Sequence, residues 1–382
     1  LTPQGTVADT LEAFFDELLK EFLSKKEFVD VAKVSVNDTC VKCGNPTLNI
    51  SNGAINHNTA NSDGGGAYLD GGTLNVTGGN IEENTAVNGA GTYVNAGNIV
   101  MSSGSFTNNS ASANGGGAYL AGGNLNVSGG TFASNNAKQN GGGAYLSGGN
   151  LTVTGGIFTS NIATLNGGGA YLAGGDFDLN GPLATFTNNI AKNGGGVYLT
   201  GGKPNLFEGT LQGNIATSSG GGIYIDKQLV KLAPTGSVKI IQNKAGYKQD
   251  GTESSFEGLG GAIYISGTEG QDDACFTVDK NSLGTVLIDK NIAKTNGGGV
   301  CINNGYFTMD GTNVIVTNNQ AESGGGVAVL AGDFNISNGS IGSEGNSNKA
   351  QNGGGVYVSG GNVLVTNSGD IKGAIKYNIA QI

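Results

Sequence analysis

Few residues in this chain have the type and spacing for chemistry. Cys40-Val-Lys-Cys43 has the spacing of half a zinc site, but zinc needs a second ligand pair. The other two cysteines, Cys275 and Cys301, lie far along the chain, and the single histidine is His57. One imidazole does not complete the set. A local disulfide or free thiols is the simpler reading of Cys40 and Cys43, and the pairing of Cys275 with Cys301 stays open. The carboxylates Asp250, Glu253, Glu257, Glu269, Asp272 and Asp273 fall within a short stretch. Gathered on one surface they would form an acidic patch with weak calcium affinity, yet no EF-hand loop or calcium-binding glycine-aspartate nonapeptide is present. Solvated loops are the simpler reading. Glycoside hydrolysis needs two carboxylates at a set separation. The pair Asp176 and Asp178 belongs to one repeat, and Asn150 and Thr152 replace it in the repeat before. His57 has no evident Ser or Cys partner. No catalytic residue, metal site or cofactor is expected.

What these residues sit on is a repeat. The phrase Gly-Gly-Gly-(Ala/Val/Ile)-Tyr-(Leu/Ile/Val) returns about once every 26 residues, as at Gly115–Leu120, Gly141–Leu146 and Gly167–Leu172. A fixed period of this size marks a solenoid. It also explains the 72 glycines, which without a period would suggest disorder. Each period holds three short apolar–polar alternations, the strand signal, separated by glycine-rich breaks too short for a helix. The predicted fold is all-β: a right-handed parallel β-helix with three short strands per coil. Some twelve coils would span about 55–60 Å. A hexapeptide period, which would favour the left-handed form, is missing. A four-strand propeller blade needs a longer period, about 40 residues.

The alternation assigns faces. Residues flanking each Tyr are small or branched and face in, so Tyr68, Tyr93, Tyr119, Tyr145, Tyr171, Tyr198 and Tyr224 face out as one column. Cys301 and Ala328 take the same outward place in later repeats. An exposed aromatic column suits sugar rings or protein partners. It would equally serve to shield the sheet and reinforce coil pairing. The third strand opens with Phe106, Phe132, Phe158 or Phe186, followed three residues later by Asn. Stacked one coil apart, Asn84, Asn109, Asn135, Asn161, Asn189 and Asn214 form a structural amide ladder at a corner.

These two phrases together resemble the repeats of the chlamydial polymorphic outer membrane proteins, a family marked by GGAI and FxxN tetrapeptides. GGAI occurs at Gly260–Ile263, and FxxN at Phe106–Asn109, Phe132–Asn135, Phe158–Asn161 and Phe186–Asn189. The resemblance covers about residues 46–382. It implies a β-helical surface or secreted domain, often an autotransporter passenger, that adheres to host-cell, glycan or matrix ligands without catalysis. No autotransporter barrel segment occurs in these 382 residues. A structural spacer within a larger surface protein is the alternative. A polysaccharide-active β-helix enzyme is disfavoured, because polyuronide lyases generally use a basic residue, often arginine, and the chain has none. The outward positions Asn75, Val100, Asn126, Thr152 and Asp178 are too irregular for ice binding.

Residues 1–45 differ. Leu11, Phe14, Phe15, Leu18, Leu19, Phe22 and Leu23 make an amphipathic stripe, so Thr6–Lys33 is predicted as a helix capping the solenoid end, with a partner-binding or membrane-surface helix as the alternative. Segments 226–237, 246–259 and 266–275 break the period and are expected as inserted loops. The first and last should lie side by side at the corner after the Tyr strand. Net charge is −10, which disfavours nucleic acid. No apolar run is long enough for a membrane-spanning helix. The chain begins at Leu1 without Met and ends on a strand pattern, so it is expected to continue into further repeats or an anchoring domain.

Overall fold

The computed structural model describes residues 34–36, 46–202, 204–232, 234–269, 271, 273–366 and 379–380. The predicted helix at Thr6–Lys33, and Cys40 and Cys43, lie outside them. So does Asp272. The described residues contain strands and turns and no helix. None therefore supplies a helix long and apolar enough to cross a membrane.

The chain winds as a parallel β-solenoid of about twelve coils. Successive coils pair in register over most of their length: Tyr119 opposite Tyr145, Leu125 opposite Leu151, Phe132 opposite Phe158 and Ala137 opposite Ala163. The coil holds four strands, where three were expected. In one coil they are Ala118–Leu120, Leu125–Val127, Thr131–Ala133 and Asn136–Ala137. The fourth is the segment just after the corner Asn. It pairs with its own copies in an eight-stranded sheet. Val34–Val36 pairs antiparallel with Leu48–Ile50, covering one edge of the first described coil.

Alternation places the core. Ala118, Leu120, Leu125, Val127 and Phe132 are buried, and the same positions are buried in neighbouring coils. Phe106, Phe132, Phe158 and Phe186 stack with centroids 4.5–4.6 Å apart, one ring per coil. Each buried large side chain contributes about 1.5–3 kcal/mol.

The corner carries the amide ladder. From Asn58 to Asn319 the residue before each ladder Asn adopts a left-handed conformation, with φ of 55° at Ser134 and 56° at Ser160. That turn directs the Asn inward, and Asn84 through Asn348 are fully buried. Asn135 uses its whole hydrogen-bonding capacity. Its Nδ2 donates to Asn161 Oδ1 (3.0 Å) and to the Phe106 carbonyl (2.8 Å). Its Oδ1 accepts the Asn109 backbone N–H (3.1 Å) and Nδ2–H (2.9 Å). The pattern runs without interruption from Asn58 through Asn84, Asn109, Asn135, Asn161, Asn189, Asn214, Asn243, Asn291 and Asn319 to Asn348.

The glycine triplet closes over this ladder. Gly141 has φ of 66°, a left-handed value. A Cβ on Gly142 would run into the Gly168 carbonyl oxygen and lie 2.6 Å from that of Ile162. No side chain fits there.

One stack is interrupted. The second strands pair regularly up to Leu179 opposite Leu206. In the next coil Leu229–Leu232 pairs instead with Cys275–Val278 in the sheet of the Tyr strands. Before this seam the second strand shares a sheet with the third, and the two run on as one strand in Thr73–Glu82. After it, the second strand lies in the sheet of the Tyr strands, and the two run on as one in Val300–Met309. This corrects the expectation of a loop at 226–237. Val230 and Leu232 are buried at the regular second-strand places. The extra residues come after the strand, on the way to Ile240. Of the segments 226–237 and 266–275, it is the one between Ser266 and Cys275 that separates a Tyr strand from its second strand.

Two stability changes follow from this packing. Asn161→Ala removes two donated and two accepted hydrogen bonds from a buried site, and is expected to cost about 3–5 kcal/mol in chemical denaturation. Exposed Asn126→Ala should stay within about 0.5 kcal/mol. Thr92 occupies the inward place of Ala118, with a buried hydroxyl that has no hydrogen-bond partner. Thr92→Val is expected to raise stability by about 1 kcal/mol in the same assay.

Candidate binding surface

The tyrosines form a continuous stack. Centroid separations from Tyr68 to Tyr224 run 5.1, 4.8, 4.8, 5.0, 5.2 and 4.6 Å, with planes within 19° of parallel. Tyr264 adds a tilted ring 4.9 Å beyond. The ring faces are therefore turned to each other. What the column presents outward is ring edges and hydroxyls.

Exposure falls along the column. Tyr68 is 53% exposed, Tyr93 through Tyr171 are half-buried, Tyr198 is 9% exposed and Tyr264 5%. Cys301 and Ala328 are fully buried. The expected exposure of Cys301 is thus corrected: Tyr264, Cys301 and Ala328 form a small apolar cluster against Tyr224, Leu259, Leu330 and Tyr357. Cys275 is buried too, and both thiols are free. Burial pushes the Cys301 thiol up, with Glu257 adding to it.

Polar partners fix the buried end. Tyr198 Oη donates to Asp226 Oδ2 at 2.9 Å, and Asn303 Nδ2 donates to Tyr264 Oη at 3.0 Å. Burial first, and then the Asp226 carboxylate, raises the Tyr198 phenol. Tyr145 is pushed up to about 12 by burial, then by its neighbours Tyr119 and Tyr171.

A second amide row was missed by sequence reasoning. Asn88 Nδ2 donates to Asp63, and Asn114, Asn140, Asn166 and Asn193 continue the chain of amides at 2.9–3.3 Å. These residues immediately precede the glycine triplets. Their recurrence at that one place was the available signal.

The insert Gly246–Leu259 leaves the amide corner as a folded loop. Tyr247 and Glu253 bridge antiparallel, and Lys248 N–H donates to the Thr252 carbonyl at 2.8 Å. Asp250 Oδ1 accepts the Thr252 N–H (2.9 Å) and hydroxyl (2.6 Å), which holds its carboxyl below the usual carboxylate range. Glu253 pairs with Lys294 at 3.5 Å, and Glu257 is exposed. Asp273 belongs to the other loop, where it accepts the Thr268 N–H at 2.8 Å. The described carboxylates are thus distributed over two loops, and Asp250, Glu253 and Asp273 are each engaged locally. Among the described residues no group of three or more His, Cys, Asp or Glu side chains is placed to hold a metal ion. His57 pairs with Glu83 one coil on, at 3.0 Å on the surface.

Fold and surface together define a class: a parallel β-solenoid with a buried amide ladder and an outward tyrosine stack. The family model described as the Chlamydia polymorphic membrane protein repeat matches residues 184–200. That segment contains Phe186–Asn189, which supplies one core ring and one ladder amide, and Gly194–Leu199, which supplies one glycine triplet and one stacked tyrosine. No curated protein and no solved structure matches the chain significantly.

The raised phenols set an alkaline limit. Between pH 10 and about 12 an unfolded tyrosine ionises while folded Tyr145 keeps its proton. The unfolded chain then binds fewer protons, so stability falls as pH rises through that window. Denaturation midpoints should drop above pH 10, and Tyr145→Phe should remove part of the drop.

Proposed function

We propose that this chain is a cell-surface, adhesin-like solenoid of the passenger type, which binds host-cell, glycan or matrix ligands without turning them over. The observation that carries this reading is the match of the polymorphic membrane protein repeat to residues 184–200, part of one coil of a solenoid whose other coils repeat the same parts. The family's repeats belong to membrane proteins, which supports a surface location. The outward-facing contacts would be the tyrosine column from Tyr68 to Tyr171, where the phenols reach solvent, and the folded loops beyond it. Because the ring faces are stacked, a ligand would meet edges and hydroxyls, which favours hydrogen-bonding partners over sugars lying flat on the rings.

A second reading, a spacer that holds another domain away from the cell, is favoured by that same stacking. Rings paired at 4.6–5.2 Å reinforce the coil pairing whether or not anything binds them. Catalysis is not part of either reading. Asp178, one of the carboxylates weighed for glycoside cleavage, accepts Asn205 Nδ2 at 2.9 Å as a link between coils.

Binding of the purified chain to glycan arrays, matrix proteins and epithelial cells separates the two. The adhesin reading expects saturable binding, weakened about tenfold or more when Tyr119, Tyr145 and Tyr171 are replaced together by Ser. No binding by a folded, β-rich protein would favour the spacer.

A further inference from the structure

The insert Gly246–Leu259 does more than decorate the corner. It stands beside the outer face of the following coils and encloses with them a groove of about 300 Å³. The floor is the strand after the corner Asn: Ile292 and Ala293, then Gln320 and Ala321 one coil on. Lys294, Glu322 and Gln351 rise from successive coils along one side, and Tyr247 and Glu253 form the insert wall.

The wall is held in place before any ligand arrives. Lys294 Nζ donates to the Ser254 carbonyl at 2.9 Å and pairs with Glu253. Ser254 is nearly buried, and its hydroxyl donates to the Thr217 carbonyl. The Lys192 ammonium lies 4.7 Å from the centroid of the Phe256 ring, tying the far side of the insert to the solenoid. A site built this way avoids the cost of ordering a loop on binding.

The lining specifies the ligand class. Gln320, Gln351 and Glu322 supply amide and carboxylate groups that can bond adjacent hydroxyls in both senses. Tyr247 stands outside the tyrosine stack and brings an aromatic ring to the same groove. The one cation of the lining, Lys294, is already paired with Glu253, so Glu322 leaves the lining itself with a net negative charge; the Lys244 ammonium stands over the Tyr247 ring, 5.8 Å from its centroid. An anionic ligand would meet repulsion. We propose that this groove binds a neutral hexose unit of a glycan. The volume is at the small end of ligand pockets, about 300 Å³, and suits a mono- or disaccharide unit at a chain end. The proposal rests on the surface-solenoid reading only for its supply of ligand. It uses none of the residues of the tyrosine column.

The test is titration of the purified 382-residue chain with maltotriose, cellotriose, mannotriose and N-acetyllactosamine, followed by calorimetry and saturation-transfer NMR. Sialyllactose and a sulfated disaccharide serve as anionic counterparts. At least one neutral sugar should bind, and the anionic ones more weakly. Tyr247→Ala should weaken binding about tenfold. Gln351→Ala, at an exposed position, should weaken it with an unchanged denaturation midpoint, which covers the case of a misfolded Tyr247 variant. The Tyr119, Tyr145, Tyr171 triple Ser variant should bind the sugar as the parent does. Failure of every neutral sugar to bind, equal binding of anionic sugars, or binding indifferent to both Tyr247→Ala and Gln351→Ala would overturn the proposal. Cell binding lost in the triple Ser variant while the groove stays silent would sink the groove and leave the adhesin reading standing.

Discussion

The solenoid depends on what happens at one corner. A chain that turns sharply inside a packed core must leave backbone and side-chain polar groups there, and each one left unpaired costs about 1–3 kcal/mol. Asparagine solves this because its amide has two donors and two acceptor sites in one plane. With coils in register, each amide joins the one before and the one after, and its remaining donor takes a strand carbonyl. The requirement then spreads outward. The Asn must point inward, so the residue before it takes the left-handed conformation, at a cost of about 1–2 kcal/mol where it is not glycine. The next turn must pass close to the ladder, so glycines follow. The apolar residue three places earlier stacks on its copies, as Phe106, Phe132, Phe158 and Phe186 do, at the spacing that strand pairing also imposes on the tyrosines outside.

That interdependence is why the fold was readable in the sequence. Phe132 and Asn135 recur at one spacing because neither can move without the other, and the recurrence exposes the period. Two features were legible in principle and overlooked. Val230 and Leu232 follow Tyr224 at the same distances as Leu125 and Val127 follow Tyr119, but the flanking Gly-Gly is missing, so a strand reads as a loop. The amides at Asn114, Asn140 and Asn166 sit in a stretch read as turn. Other features were not legible. Whether Cys301 is exposed depends on neighbours such as Leu259 and Leu330, which lie in other coils. Whether the insert carboxylates gather depends on loop geometry that no period encodes.

The outer surface has more freedom, and the chain uses it unevenly. The tyrosine column starts exposed and ends in an apolar cluster. The second strand changes sheets between Leu206 and Leu229. The insert Gly246–Leu259, which folds into its own bridged structure, leaves the same coil in which the second strand changes sheets. None of these disturbs the ladder, which runs unbroken past all of them from Asn214 through Asn243 and Asn291 to Asn319. The corner carries the fold and frees the rest of each coil to vary.

Hydrogen exchange resolved to individual amides tests the central claim most directly. The backbone N–H groups of Asn109, Asn135, Asn161 and Asn189 each donate to the amide oxygen of the next coil and are sealed from water. They should exchange in the slowest class, together with the buried strand amides on either side. Fast exchange at these four positions while the strands remain protected would contradict a ladder that holds the coils together.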